Sequence, residues 1–133
     1  MTEWHGKSKR KSSGARRMST RRCDKKLAWK GGHAAMTEVE EKDKRKTVST
    51  RGGNKKVKVK AAKTASVSIP GQKKAVNAKI IAVSENQANR LYTRKNIVTK
   101  GAVIKVEING KESLAKVKSR PGQAGTVQAV LVE

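Results

Sequence analysis

Apolar and polar residues alternate along much of the chain after residue 47, and this pattern predicts short β-strands. In the segment 57–60, Val57 and Val59 alternate with Lys58 and Lys60. A period of two is expected where one face of a strand is buried and the other is solvated. The same kind of pattern predicts further strands over 65–69, 75–83, 96–99, 102–108, 112–118 and 126–132.

Turn-forming residues separate these predicted strands. Pro70-Gly71 ends the strand at 65–69, and Asn109-Gly110 joins the strand at 102–108 to a partner strand that contains Leu114. Asn and Gly both tolerate positive φ, which a two-residue type I′ hairpin requires at both positions. We therefore expect a tight hairpin at 109–110, and a further turn at 119–122.

Two of the strands also predict which side chains face the core. Each contains four small or aliphatic residues in one phase of the alternation, and that phase should be buried. These residues are Val76, Ala78, Ile80 and Ala82 in the first strand, and Ala102, Ile104, Val106 and Ile108 in the second.

Two segments have no clear periodicity. Residues 85–90 are typical of a loop or a single helical turn. Residues 36–42 belong to an acidic stretch with Glu38, Glu40, Glu41 and Asp43. That stretch is compatible with a short helical turn or an exposed loop, and the solvated loop is the favoured interpretation.

Short strands separated by turns predict an all-β fold, either a small Greek-key-like β-barrel or a sandwich, and we favour the barrel. Its core would consist of Val, Ile, Leu and Ala, since the chain has no Phe. We expect residues 47–133 to form the barrel domain. Residues 1–46 would be a basic, extended N-terminal arm that is disordered on its own.

The N-terminal arm is dominated by positive charge. Eleven of the first 30 residues are Lys or Arg, and only Glu3 and Asp24 oppose them. Such a segment buries too little apolar surface to offset the entropy lost on ordering, but its charge density suits a polyanion. The whole chain carries a net charge of +23, far above the magnitude of about 2 to 8 that keeps a small domain soluble.

A membrane is the weakest candidate for the anionic partner. The sequence has no apolar run near the roughly 20 residues of a spanning helix, and residues 1–6 lack the apolar segment of a signal peptide. Met18 is the only large apolar residue between Lys7 and Lys26, so a membrane-surface helix is not expected. Nucleic acid is therefore the expected partner.

Catalytic, metal and cofactor sites are not expected. The single cysteine, Cys23, excludes an internal disulfide and a multi-thiolate zinc site, and His5 and His33 have no obvious metal-ligating partners. The acidic residues lack the apolar surroundings that raise a carboxyl pKa for acid–base catalysis. An enzyme, and a protein that binds a small-molecule substrate, are thus disfavoured.

Several loops have the composition of a phosphate-binding site. Gly52 and Gly53 allow the backbone to approach a phosphate closely, and Arg51, Lys55 and Lys56 beside them supply charge. The alternative is an ordinary β-turn with solvated lysines.

Other loops combine cations with an aromatic residue or a rigid turn. Tyr92 precedes Arg94 and Lys95, so it could stack on a base or cover the core, and Arg120 precedes a Pro-Gly turn. Trp4 and Trp29 bracket the basic arm and could each serve either purpose.

The pattern contains no aromatic RNA-recognition motif, zinc finger or recognition helix, so phosphate contacts and shape should dominate binding. This favours folded RNA over duplex DNA. The rival to a protein bound at one fixed RNA site is a nucleic-acid compaction or RNA-chaperone protein that binds without a fixed site.

Four segments of the chain resemble a known family, the eukaryotic-type ribosomal protein S-eight-e of the archaeal and eukaryotic small subunit. The length is similar to that of an archaeal member. The resemblance lies in residues 4–11 with 13–15 and 21–22, in residues 51–56, in residues 85–89 with Tyr92, Arg94, 96–97 and 99–102, and in residues 119–123 with Gly125 and 129–133.

The resemblance implies a β-barrel docked on small-subunit ribosomal RNA, near other small-subunit proteins, with the N-terminal arm threaded among RNA helices. Together with the charge pattern it gives a set of expected RNA-binding residues. These are Lys7, Lys9, Arg10, Lys11, Arg16, Arg17, Arg21, Arg22, Lys25, Lys26, Arg51, Gly52, Gly53, Asn54, Lys55, Lys56, Arg94, Lys95, Asn96, Lys100 and Arg120.

Overall fold

The computed structural model describes residues 2–17, 25–71 and 74–132, and its contacts divide the chain into two units, Met1–Ala34 and Ala35–Glu133. In the first unit, β1 (Glu3–Trp4) pairs antiparallel with β2 (Lys30–Gly31), and a 3-10 turn at Leu27–Trp29 precedes β2.

The second unit is mostly β-structure. Its elements are β3 (Thr37–Val39), β4 (Lys44–Ser49), a 3-10 turn (Arg51–Gly53), β5 (Lys55–Ala62), β6 (Thr64–Ser68), β7 (Ala75–Glu85), α1 (Arg90–Arg94), β8 (Ile97–Val98), β9 (Val103–Ile108), β10 (Lys111–Val117), α2 (Pro121–Ala124) and β11 (Gln128–Val132).

Five strands of this unit form a closed barrel in the order β10-β11-β6-β7-β9. Neighbours pair antiparallel except β11 and β6, which pair parallel, with Gln128 opposite Ser66. The all-β barrel predicted from the alternation is therefore confirmed. A second sheet has the order β4-β5-β3-β8.

The core consists of small and aliphatic side chains, as the composition predicts. The largest fully buried residues include Ile104, Val67, Val106 and Val117, all from barrel strands. The predicted inward phase of β9 is correct, because Ile104 and Val106 are buried while Lys105 and Glu107 are exposed.

The predicted phase of β7 needs correction, and the structure gives the phase of β10, which the sequence left open. In β7 the pairing register shifts between Ile80 and Ala82, and this irregularity moves the alternation so that Val83 is buried and Ala82 is only half-buried. In β10, Leu114 lies on the outward side, while Ala115 and Val117 on the other phase form the core.

The predicted turns at 70–71 and 109–110 agree with the backbone φ angles. Asn109 and Gly110 have φ of 51° and 78°, as a type I′ hairpin requires, and Gly71 has φ of 83°. The 119–122 turn continues into α2, and the helical turn after residue 85 begins only at Arg90.

The segment before residue 47 differs from the favoured loop interpretation. Thr37–Val39 is a strand, and Thr37 is buried with its hydroxyl donating to the carbonyl of Val59 at 2.7 Å. The proposed boundary at residue 46 concerns folding without RNA and stays a prediction. No helix among the described residues is long and apolar enough to span a membrane.

Candidate nucleic-acid interface

The hairpin formed by β4 and β5 concentrates positive charge on one face. Val59 and Ala61 of β5 are buried, and the lysines that alternate with Val57, Val59 and Ala61 lie on the other side of the strand. These lysines are Lys56 and Lys58, which are half-buried, and Lys60, which is exposed. Residues 44–60 contain no acidic residue.

The strand register adds a fourth lysine to this face. Lys46 of β4 lies directly opposite Lys58 of β5, and Val48 lies opposite Lys56. Like charges directly opposite one another destabilise a sheet, and none of the four lysines forms an ion pair with any residue in the described ranges. We call Lys46, Lys56, Lys58 and Lys60 the lysine face.

The turn at the end of this hairpin holds the first predicted phosphate-binding segment. The hydroxyl and the backbone N–H of Thr50 both donate to the carbonyl of Asn54, at 2.9 and 2.7 Å, which closes the turn. Gly52 and Gly53 have φ of 77° and 76°, in the left-handed region that favours glycine. Both glycines, Asn54 and Lys55 are exposed.

The fold brings a second predicted segment next to this hairpin. Lys56 donates from Nζ to Oε1 of Gln123 in α2 at 3.1 Å. Gly125, with φ of 71°, follows α2 so closely against β5 that a Cβ there would lie 3.1 Å from Cβ of Val57. Arg120, at the start of this turn, is exposed.

The loop from residue 86 to residue 96 is held by asparagines. Asn86 is buried, donates to the carbonyl of Ile97 at 3.1 Å, and accepts from the Ala88 N–H and the Thr99 hydroxyl at 3.0 Å each. Asn89 caps α1 by accepting from Leu91 N–H at 2.9 Å. Buried polar groups satisfied in this way fix the loop.

This loop presents part of the predicted set to solvent. Arg94 and Lys95 are exposed, whereas Tyr92 is half-buried. Asn96 uses its Oδ1 to accept from the Val83 N–H at 3.2 Å, so at least this atom supports the fold. Lys100 is exposed in the turn before β9.

In the first unit, several predicted arginines and lysines lie on one small hairpin. Arg10 and Arg16 form an antiparallel bridge, and the N–H of Arg17 donates to the carbonyl of Lys9 at 2.9 Å. Gly14, with φ of 82°, makes the turn, and the Arg10 guanidinium donates to its carbonyl at 2.9 Å. The N–H of Lys11 also donates to the carbonyl of Ala15 at 2.8 Å, so five exposed cations are held on this hairpin.

The remaining cations of the first unit are more dispersed. Lys7, Lys25 and Lys26 are exposed, and Nζ of Lys26 lies 5.4 Å from the ring centroid of Trp29. Arg21 and Arg22 lie outside the described residues. Trp4 is exposed and Trp29 is half-buried.

The acidic stretch serves the fold and leaves the lysine face unneutralised. Asp43 accepts from the Lys63 N–H at 2.6 Å, and Glu40 pairs with Lys44 at 2.6 Å. Asp43 and Arg45 are 3.9 Å apart, at the limit of an ion pair. These contacts involve Lys44 and Arg45, which immediately precede Lys46 in sequence and are not part of the lysine face.

Sequence reasoning missed three members of the lysine face, namely Lys46, Lys58 and Lys60. The sequence shows Lys58 and Lys60 in the polar phase of a strand. The polar phase of a strand ordinarily faces solvent, so by itself it does not indicate a binding surface. What marks them as a surface is the opposition of Lys46 and Lys58, which depends on the pairing register. The absence of acidic residues over 44–60 was the available signal.

This arrangement suits contact with a repeated anion. Lysines on one strand face recur every two residues, or about 7 Å, and ammonium groups bind phosphates as point charges. Within the described residues no group of three or more His, Cys, Asp or Glu side chains could hold a metal ion. The fold and charge distribution define a small, strongly basic β-barrel protein suited to binding a polyanion.

Comparison with known proteins identifies the family of the chain. The family model for ribosomal protein S8e matches residues 4–132. Proteins named small ribosomal subunit protein eS8 are 43% identical in Pyrobaculum aerophilum, over 93% of this chain and 91% of theirs, and 42% identical in Methanosarcina barkeri, over 98% of both. A third, from Methanococcus vannielii, is 42% identical over 99% of this chain and 98% of its own. The chain belongs to the ribosomal protein S8e family.

Proposed function

We propose that this protein is a structural constituent of the small ribosomal subunit, located in the cytoplasm on the ribosome, where it binds and stabilises folded ribosomal RNA. The observation that carries the proposal is the relationship, over nearly the full length, to proteins named as small ribosomal subunit proteins. Its partners would be small-subunit ribosomal RNA and neighbouring ribosomal proteins, and no catalytic step is involved.

The proposed mechanism is charge neutralisation. RNA phosphates repel one another when helices pack, and lysine and arginine side chains displace the counterions that would otherwise separate them. The lysine face lacks carboxylates, and the Lys56–Gln123 hydrogen bond holds two basic turns together. The 86–96 loop and the cations of the first unit would supply further phosphate contacts.

The proposed RNA-binding residues are those expected from the sequence together with the rest of the lysine face. They are Lys7, Lys9, Arg10, Lys11, Arg16, Arg17, Arg21, Arg22, Lys25, Lys26, Lys46, Arg51, Gly52, Gly53, Asn54, Lys55, Lys56, Lys58, Lys60, Arg94, Lys95, Asn96, Lys100 and Arg120.

Sedimentation of the native protein from a cell lysate tests this proposal. Lysate is run through sucrose gradients at low salt and again after a high-salt wash, and the protein is followed by mass spectrometry. We expect it to remain with the small subunit after the wash, because many phosphate contacts act together. Release by modest salt, with spread along the gradient, would favour the compaction or chaperone hypothesis instead.

A further inference from the structure

One face of the barrel places two exposed aliphatic side chains directly beside each other. Leu114 of β10 is 41% exposed and lies directly opposite Val132 of β11, which is 43% exposed. Val130, two residues before Val132 and on the same side of β11, is half-buried. We call Leu114, Val130 and Val132 the apolar stripe.

Two adjoining depressions follow the apolar stripe. One, of about 420 Å³, is lined by Leu114, Leu131 and Val132 among others, and the second, of about 330 Å³, by Pro70, Val130, Leu131 and Val132. They share the lining residues Leu131 and Val132, and we call the two depressions together the groove. A single exposed aliphatic residue has no special meaning, but contiguous ones mark an interaction surface.

Lysines surround the stripe. Lys105 lines one depression with Glu112, and Lys116 and Lys118 line the other. Lys105 lies directly opposite Leu114, and Lys116 lies directly opposite Val130. Within the described ranges none of these three lysines forms an ion pair.

The strand pairing restricts how a partner can bind here. β10 is paired on both sides, by β9 and β11, and β11 is paired on both sides, by β10 and β6. The pairing of β11 with β6 ends at Val130, so among the described residues only 131–132 leave a free edge, which is too short for a partner to add a β-strand there. It must bind through side chains laid over the groove, as an amphipathic helix or a loop would.

We propose that the apolar stripe is a protein-docking surface, which takes a segment of a neighbouring ribosomal protein whose apolar side chains are flanked by carboxylates. The inference rests on the proposed function, since it places the neighbour in the small subunit. Apolar anchors would fill the groove, and the three lysines would pair with the carboxylates at its rim. RNA is a poor occupant of the groove. Its phosphates are polar, so they would cover Leu114 and Val132 without giving these side chains apolar contacts.

Photocrosslinking gives the direct test. A photoreactive benzophenone amino acid replaces Leu114 in cells where this variant is the sole copy, small subunits are purified and irradiated, and crosslinked peptides are identified. We expect crosslinks to one neighbouring protein, at an apolar residue close to Asp or Glu. Crosslinks only to RNA, to residues 1–34 of this chain, to a second copy of it, or to nothing would overturn the inference.

A charge substitution supplies the second test. Leu114→Glu and Val132→Glu would replace an apolar anchor by a carboxylate that faces the carboxylates of the partner, so we expect the crosslinked neighbour to fall roughly tenfold or more in purified subunits. Ile81→Glu is the matched control, because Ile81 is 40% exposed on the same barrel but does not line the groove. Equal loss in all three variants, or loss in none, would contradict the docking surface.

The two proposals fail in different ways. If the unmodified protein does not sediment with the small subunit, the proposed function fails. If it does sediment there but position 114 crosslinks to no neighbouring protein, only the docking surface fails. Thermal unfolding of the purified variants shows whether a lost neighbour reflects a lost fold.

Discussion

At the scale of single residues, placing Lys46 opposite Lys58 lowers the stability of the sheet but suits the binding of an anion. Two like charges on directly opposite strand positions repel one another and weaken the sheet by about 0.2–1 kcal/mol. In a protein with no anionic partner, replacing either lysine by a neutral residue would increase the stability of the sheet. Their presence together on a face without carboxylates is explained if phosphates of the proposed RNA partner lie between them.

This reasoning gives a prediction for Lys58→Gln. We expect the free protein to become more stable by a few tenths of a kcal/mol at low salt, because the repulsion from Lys46 is removed. Its affinity for small-subunit ribosomal RNA should fall, and the slope of log affinity against log salt should become shallower by about 0.7–0.9. Urea unfolding and filter-binding titrations at several salt concentrations measure the two effects.

Lys111→Gln is the matched control for this experiment. Lys111 is exposed on β10 opposite Ile108, so it has no facing cation and lies outside the proposed RNA surface. We expect neither stability nor RNA affinity to change measurably in that variant. A Lys58→Gln protein that is less stable and binds RNA as tightly as before would contradict the interpretation of the lysine face.

At the scale of elements, the 86–96 loop depends on one buried side chain. Asn86 is 6% exposed and makes three hydrogen bonds, to residues 88, 97 and 99. Asn86→Ala would leave those three groups unpaired, so we expect a loss of about 1–3 kcal/mol in the free energy of unfolding. We also expect faster amide hydrogen exchange over residues 86–96, and weaker RNA binding because Arg94 and Lys95 lose their fixed position.

Ser84→Ala provides the comparison for this loop. Ser84 is exposed near the end of β7, and substitutions at such positions ordinarily stay within about 0.5 kcal/mol. If both variants unfold alike and exchange alike, the Asn86 hydrogen bonds do not fix the loop, and the presentation of Arg94 and Lys95 needs another cause.

Some of the secondary-structure elements could be predicted from the sequence alone, and others could not. The 109–110 hairpin was predictable because both turn residues had to tolerate positive φ, and β9 because its alternation is uninterrupted. β3 was not, because three residues are too few for a period to be visible. The phase error in β7 has a different cause, since the register shift after Ile80 arises from pairing with β9.

The candidate interface was predictable to a similar extent. Loop cations such as Arg94 and Arg120 could be found from composition and turn residues. The lysine face could not, because it exists only when Lys46 is brought opposite Lys58 by the β4–β5 register. The apolar stripe was hidden for the same reason, since Leu114 and Val132 are far apart in sequence and meet only through the β10–β11 pairing.

At the scale of the whole molecule, positive charge is spread over both units, and its use should differ between positions. Among the described residues of the first unit, eight exposed cations belong to the proposed RNA surface, and six of these lie within residues 7–17, namely Lys7, Lys9, Arg10, Lys11, Arg16 and Arg17. Replacing all six by Gln in the full chain should make the slope of log affinity against log salt shallower by about 4–5, if each contacts one phosphate. Titration of ribosomal RNA by filter binding at several salt concentrations measures that slope.

A second variant separates specific contacts from net charge, which is +23 in the native chain. It also loses six positive charges, but from exposed or half-buried lysines outside the proposed RNA surface: Lys63, Lys79, Lys105, Lys111, Lys116 and Lys118. Because these lysines do not face RNA in the proposal, their loss should weaken long-range attraction while leaving the slope within about one unit of the native value. Equal flattening by both variants would mean that RNA responds to the total charge alone, and a fixed binding surface would then have to be abandoned.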